Sequence, residues 1–151
     1  ATIEPAEGWE LKFAQKWNET KTTYGADATV KSKFVPFVAK YRSLVQLSYA
    51  TWQNKWDVNL TLQNIGPSRV PTKGDIEEFW SPNFNLLSGQ VTRRFKMFDW
   101  YLGVENALNF TQDNPIRGIE NPFSENFDAA MIWGPVMGRR MYSGIRVRFN
   151  D

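Results

Sequence analysis

From Trp56 to Gln63 the chain alternates apolar and polar residues without a break: Trp56, Val58, Leu60 and Leu62 against Asp57, Asn59, Thr61 and Gln63. Successive side chains of an extended strand point to opposite sides, so a period of two specifies a strand with one apolar and one polar face. Five further segments repeat the pattern. Trp9, Leu11, Phe13 and Trp17 oppose Glu10, Lys12, Ala14 and Lys16, and Tyr41, Val45, Leu47 and Tyr49 oppose Arg42, Leu44, Gln46 and Ser48. Leu87, Gly89, Val91 and Phe95 oppose Ser88, Gln90, Thr92 and Arg94, with Arg93 an exception on the apolar side. Trp100, Leu102, Val104 and Leu108 oppose Asp99, Tyr101, Gly103 and Glu105. Met141, Ser143, Ile145, Val147 and Phe149 oppose Tyr142, Gly144, Arg146 and Arg148.

The alternation predicts six consecutive antiparallel strands near residues 8–18, 41–52, 56–65, 84–96, 99–109 and 140–149. Pro5, Pro36, Pro67, Pro71, Pro82, Pro115, Pro122 and Pro135 all fall outside these windows. Proline cannot donate to a strand ladder, so a wrong division would have trapped some inside. Connections alternate between short (Gln53–Lys55, Lys96–Phe98) and long (about residues 18–40, 65–83 and 109–139). That order describes an up-and-down meander with tight turns at one end and wide loops at the other.

Two environments suit such strands. In a soluble sheet the apolar face meets a second layer; in a transmembrane barrel it meets lipid while the polar face lines the lumen. Composition bears on the choice. Aromatic residues make up 15% of the 151, with 7 Trp, 11 Phe and 5 Tyr, although the mean hydropathy is −0.49. Rings in a polar chain belong either to a β core or to a membrane–water interface. Trp52, Trp56, Phe95, Phe98 and Trp100 lie beside the short turns, and Trp9 and Phe149 reach that level from the two ends of the sheet. These seven form a candidate interfacial girdle. Loops of roughly 17–30 residues are uncommon in compact soluble domains and usually functional. No apolar run reaches the ~18 residues of a membrane helix, and no N-terminal signal peptide is visible. Six strands are too few for a closed membrane barrel, whose smallest members have about eight. The expectation is therefore a piece of a larger barrel, in keeping with the abrupt opening ATIEPAEGW.

Other chemistries find little support. With no Cys and no His the chain lacks a disulfide framework, a thiol nucleophile and the commonest general base and metal ligand. A net charge of +2 without charge blocks argues against nucleic-acid binding. The carboxylates Glu4, Glu7, Glu10, Asp57, Asp75, Glu77, Glu78 and Glu105 read as scattered surface charge rather than a glycosidase pair. Asp75, Glu77 and Glu78 with Asp113 match no calcium loop. Gly134, Gly138 and Gly144 form no phosphate loop. Asn18-Glu19-Thr20, Asn59-Leu60-Thr61 and Asn109-Phe110-Thr111 match the glycosylation triplet, which is common by chance. No enzyme activity, metal or cofactor is expected. A soluble, lipocalin-like eight-stranded barrel holding a small ligand is the alternative; its two extra strands would have to come from residues 19–40 and 112–138.

The stretches FVPFVAKYRSLVQLSYATWQNKWDVNLTLQNIGPSRVP and SPNFNLLSGQVTRRFKMFDWYLGVENALNFTQDNPI resemble late hairpins of Bacteroidetes-type TonB-dependent outer-membrane receptors. The order GVENALNFTQDNP, then DAAMIWGPVMGRRMYSGIRVRF, resembles the end of such a receptor. The resemblance covers almost all of residues 1–151. It implies an all-β, antiparallel segment of about six strands forming the C-terminal part of a 22-stranded transmembrane barrel in the outer membrane of a Gram-negative bacterium. The implied function is import of a nutrient of the siderophore, vitamin, oligosaccharide or peptide class.

The implied partners are the rest of the barrel and its plug, the inner-membrane protein TonB through parts outside this chain, lipid and lipopolysaccharide, and a surface lipoprotein. Ile145, Val147 and Phe149 resemble the C-terminal barrel-assembly signal, although Asn150 and Asp151 follow where the family ends on the aromatic. The candidates for facing the lumen or touching the plug are Arg42, Asp57, Arg94, Glu105, Arg146 and Arg148. Arg69, Arg117, Phe123, Phe127 and Trp133 are the loop candidates for contact with cargo.

Overall fold

The computed structural model describes residues 1–23, 33–71, 79–125 and 127–149. Asp75, Glu77, Glu78, Asn150 and Asp151, named above, lie outside them. The described residues contain no α-helix. They form β1 (Thr2–Ile3), β2 (Trp9–Trp17), β3 (Lys21–Thr22), β4 (Lys33–Phe34), β5 (Tyr41–Ala50), β6 (Trp56–Ile65), β7 (Arg69–Val70), β8 (Phe79–Trp80), β9 (Phe84–Arg94), β10 (Phe98–Glu105) and β11 (Arg140–Val147).

One antiparallel sheet runs β1-β2-β5-β6-β9-β10-β11. All six expected strands are present as consecutive neighbours. The expectation of six is corrected to seven: Thr2 and Ile3 pair with Lys12 and Leu11 on the outer side of β2. The Ala1 ammonium also donates to the Phe13 carbonyl (2.8 Å), and the Phe13 N–H donates to the Ala1 carbonyl (2.8 Å). A turn over residues 4–8, with Gly8 at φ 78°, joins β1 to β2 as a third short connection at the tight-turn end.

Several boundaries move inward. The strand expected to reach residue 52 stops at Ala50, because Gln53 (φ 64°) and Asn54 (φ 52°) turn the chain through a single 3-10 turn, Trp52–Asn54. The strand expected to reach residue 109 stops at Glu105, where Asn106 (φ 49°) leaves the extended region. Asparagine enters that left-handed region more readily than other side-chain-bearing residues. Phe149 lies beyond the end of β11.

The cross-strand register joins the separate alternations into two continuous faces. Leu11, Leu47, Leu60, Gly89, Val104 and Met141 are directly opposed in one row. Trp9, Tyr49, Val58, Val91, Leu102 and Ser143 form the next row toward the short turns, followed by Trp56, Arg93, Trp100 and Ile145. On the other side Glu10, Ser48, Asn59, Gln90, Gly103 and Tyr142 align. A slip of one residue in any strand would have mixed the two faces.

Core is scarce. Among the described residues the buried apolar side chains are Ala39, Ile65, Val70 and Phe84. Leu86, Phe110 and Trp133 pack on Ala39, Ile65 and Phe84 at the wide-loop end, on the polar side of the sheet. Two small ribbons, β3–β4 and β7–β8, sit at that end. The Phe34 and Trp80 rings meet edge to face at 5.3 Å, with the Lys40 ammonium 3.8 Å from the Trp80 centroid. Among the described residues of 19–40, Lys21–Thr22 pairs with Lys33–Phe34 and Ala39 bridges Ser68, and among those of 112–138 the one bridge is Arg117↔Asp128. Among the described residues neither region adds a strand to the main sheet, and the sheet does not close on itself.

Candidate functional site

The sheet presents three distinct environments: a bare apolar face, a polar face laced with ion pairs, and a recess beneath the wide loops.

On the apolar face Phe13, Val45, Val58, Leu60, Leu62, Leu102, Ile145 and Val147 are all exposed, Leu60 at 44%. No second sheet of the described residues covers them. Scattered exposed apolar residues are ordinary, but a contiguous face of this kind marks an interaction surface. The girdle candidates flank it at the short-turn end. Trp56 and Trp100 share a row with Arg93, and Phe98 lies one row farther out, opposite Val147. Trp9 lies one row farther in, its ring 4.5 Å from that of Tyr49. Phe95 stacks on Phe98 at 4.6 Å. Trp52 and Phe149 are the most exposed of the seven. Of the assembly-signal residues, Ile145 and Val147 lie in β11 on this face.

Across the polar face, Arg94 pairs with Asp57 (3.4 Å), Arg140 with Glu105 (2.6 Å) and Arg148 with Asp99. Arg146 stands in register with Asp99, and Lys12 pairs with Glu10 (2.5 Å) along β2. Ser48 donates to Asn59 (2.8 Å), and Tyr142 donates to Gln90 (3.0 Å). Of the lumen candidates, Asp57, Arg94, Glu105 and Arg148 are thus engaged in ion pairs. Arg42 is exposed at the wide-loop end. The carboxylates are less scattered than their spacing implies: Glu4, Glu7, Glu10 and Asp57 line one open recess of about 620 Å³ beside the β1–β2 turn. Among the described residues no group of three or more acidic side chains is arranged to hold a metal ion. In the loop after β2, Lys21 donates to Glu19 (2.8 Å) and holds that exposed carboxyl below its ordinary range.

The third environment is built by amide side chains. Asn106 accepts from the Phe110 N–H (3.0 Å) and donates to the carbonyls of Phe110 (2.7 Å) and Met137 (3.1 Å). Asn109 accepts from the Arg139 N–H (2.8 Å). Buried Gln112 donates to the Met131 carbonyl (2.7 Å) and accepts from the Trp133 and Gly134 N–H groups (2.8 and 3.0 Å). These contacts fold the connection from β10 to β11 back over the sheet. They set Phe110 flat on Phe84 at 4.7 Å and bring Trp133 to 5.9 Å from it. Above this aromatic floor lies a recess of about 400 Å³, walled by Val70, Phe79, Pro82 and Met131, with Asp113 and Arg117 at its lining.

The five cargo candidates divide. Arg117 and Trp133 meet in this recess. Arg69 corrects the expectation of a surface residue: it is 2% exposed, and its Nη1 donates to the Phe34 carbonyl (3.3 Å), tying the two ribbons together. Phe123, fully exposed, and Phe127 lie outside the recess. Asn106, Asn109 and Gln112 are the residues that sequence reasoning missed. They lie within the stretch GVENALNFTQDNP, where Asn106 and Asn109 fall in the window expected to be strand and Gln112 in the long loop that follows.

No protein-family model, no curated protein and no solved structure matches this chain.

Proposed function

We propose that this chain is the C-terminal region of an outer-membrane β-barrel, a TonB-dependent receptor of the Bacteroidetes type that imports a nutrient. The observation that carries the proposal is the bare apolar face backed by a polar, ion-paired face. In water such a surface would drive aggregation; in a bilayer hydrocarbon covers it, while the polar ladder faces a wet lumen. The Trp-rich row at the short-turn end fits a headgroup layer. The short connections then lie on the periplasmic side and the wide loops outside the cell. There the recess over Phe110 and Trp133 is of a size and lining suited to a small ligand. The preceding strands, the plug, TonB and a surface lipoprotein would complete the transport cycle.

The test uses neighbouring residues on opposite faces. The chain has no cysteine, so Leu60→Cys and Asn59→Cys each introduce its single thiol. Spin labels on these thiols, in the protein reconstituted in phospholipid bilayers, should differ sharply. The label at position 60 should collide with oxygen and be shielded from a water-soluble nickel chelate, and the label at position 59 should show the reverse. Equal access of the chelate to both would refute the assignment.

A further inference from the structure

Among the described residues, Arg93 is the one charged side chain on the apolar face of the six long strands. The register sets it between Trp56 and Trp100. Its guanidinium lies 4.5 Å from the Trp56 ring centroid and 5.4 Å from that of Phe95. No carboxylate of the described residues pairs with it. Stacking on rings engages the flat side of a guanidinium and leaves its in-plane N–H donors directed outward.

On the same face, four residues nearer the wide loops, Gly89 stands where its neighbours in the row carry Leu60 and Val104. The missing side chain opens an almost wholly apolar notch of about 260 Å³, walled by Val58, Leu60, Leu102, Val104 and Met141. Val91 lines it too and lies between Gly89 and Arg93, so the notch extends toward the cation. At ~3.3 Å per residue the two ends are about 13 Å apart along β9.

We infer that Arg93 and the Gly89 notch together bind one membrane glycerophospholipid, its phosphate diester on the guanidinium and one acyl chain in the notch. The inference rests on the membrane assignment above. A cation facing lipid is costly unless it finds a counter-ion or reaches the headgroup layer. The Trp56–Arg93–Trp100 row is at the level where phosphates would lie, and the guanidinium fork matches phosphate oxygens. The notch then begins on the hydrocarbon side of that level, in the order in which a lipid presents headgroup and chain. Free phosphate would satisfy Arg93 and leave the notch unused; an uncharged lipid would do the opposite.

The experiment titrates the intact protein, in maltoside micelles that contain no phosphate, with dimyristoyl phosphatidylglycerol, counting bound lipid by native mass spectrometry. One lipid per chain should bind saturably. Dimyristoyl glycerol, with the same tails, should bind at least tenfold more weakly, and inorganic phosphate should not displace the phospholipid. Arg93→Gln should weaken binding by roughly tenfold or more, Arg93→Lys by less, and Gly89→Leu should weaken it with the cation intact. Wild-type affinity in Arg93→Gln, equal binding of the diacylglycerol, or displacement by inorganic phosphate would each overturn the site. A spin-label contrast at Leu62→Cys and Gln63→Cys, neighbours on opposite faces that lie outside the notch, measured in the same variants, reports their folding and separates the two failures. A water-exposed label at position 62 removes the membrane assignment itself. A lipid-exposed one, without Arg93-dependent binding, removes only the lipid site.

Discussion

At the scale of single residues, the glycines of the last hairpin show how side-chain packing crosses the polar face. Gly103 faces Tyr142 and Gly144 faces Tyr101 in directly opposed pairs. Each tyrosine ring lies over the opposing glycine, occupying the space a Cβ would need, and the two ring centroids are 6.3 Å apart. An aromatic ring laid over a cross-strand glycine covers the backbone that the glycine leaves bare. Gly103→Ala should therefore lift the Tyr142 ring and break its hydrogen bond to Gln90 (3.0 Å). The expected cost is about 1–3 kcal/mol, read from urea unfolding of the folded protein. Gly89→Ala should cost less, because its Cβ would meet the movable end of Leu60 at 3.3 Å rather than a fixed ring. Parity alone places Gly103 and Gly144 on the polar face. That two tyrosines need them depends on the register between β10 and β11, which no single strand records. Arg93 is similar: its breach of the alternation is visible in the sequence, whereas its seat between two tryptophans belongs to three strands at once.

At the scale of elements, the long strands were legible because alternation and proline exclusion act within one segment and need no tertiary knowledge. Their ends were less so, since Gln53, Asn54 and Asn106 stop the extended chain by adopting positive φ. The two-residue strands of the ribbons are too short to carry a period. The loop from β10 to β11 was the least legible, because its order comes from amide side chains that bond backbone groups up to 31 residues away. Gln112 is the most exposing test of that account. In Gln112→Ala the Trp133 and Gly134 N–H groups and the Met131 carbonyl all lose their partner, and a buried polar group left unpaired costs about 1–3 kcal/mol. Hydrogen exchange should accelerate at Trp133 and Gly134, while amides in the middle of β6 keep their protection. Unchanged exchange at Trp133 would mean that the loop is held by its ring packing on Phe84 and Phe110 instead. The recess was half legible for the same reason: Arg117 and Trp133 stood out by residue type, but only the folded loop brings them to one place and withdraws Arg69 from it.

For the whole molecule, the decisive quantity is the number of backbone and apolar groups that the described residues leave without a partner of their own. Among the described residues, the outer edge of β11 has no neighbouring strand from Arg140 to Val147. On the other side the stretch from Ala1 to Ile3 shields β2 only alongside Leu11–Phe13, leaving Gln15 and Trp17 at the rim. In water these edges are templates for association, and the uncovered apolar face adds a second adhesive surface. In hydrocarbon the edges are worse, because each unpaired N–H or C=O costs several kcal/mol with no solvent to satisfy it. Under the proposed membrane reading, further strands would flank β1 and β11 and lipid would cover the face between them. Residues 1–151 expressed by themselves should therefore yield no monodisperse, cooperatively melting monomer in water, by sedimentation and calorimetry. The same segment within a complete barrel should resist heat and protease in detergent. A soluble monomer with a sharp melting transition would show that the apolar face finds cover within the chain. It would withdraw the transport assignment in favour of a small ligand-binding β protein.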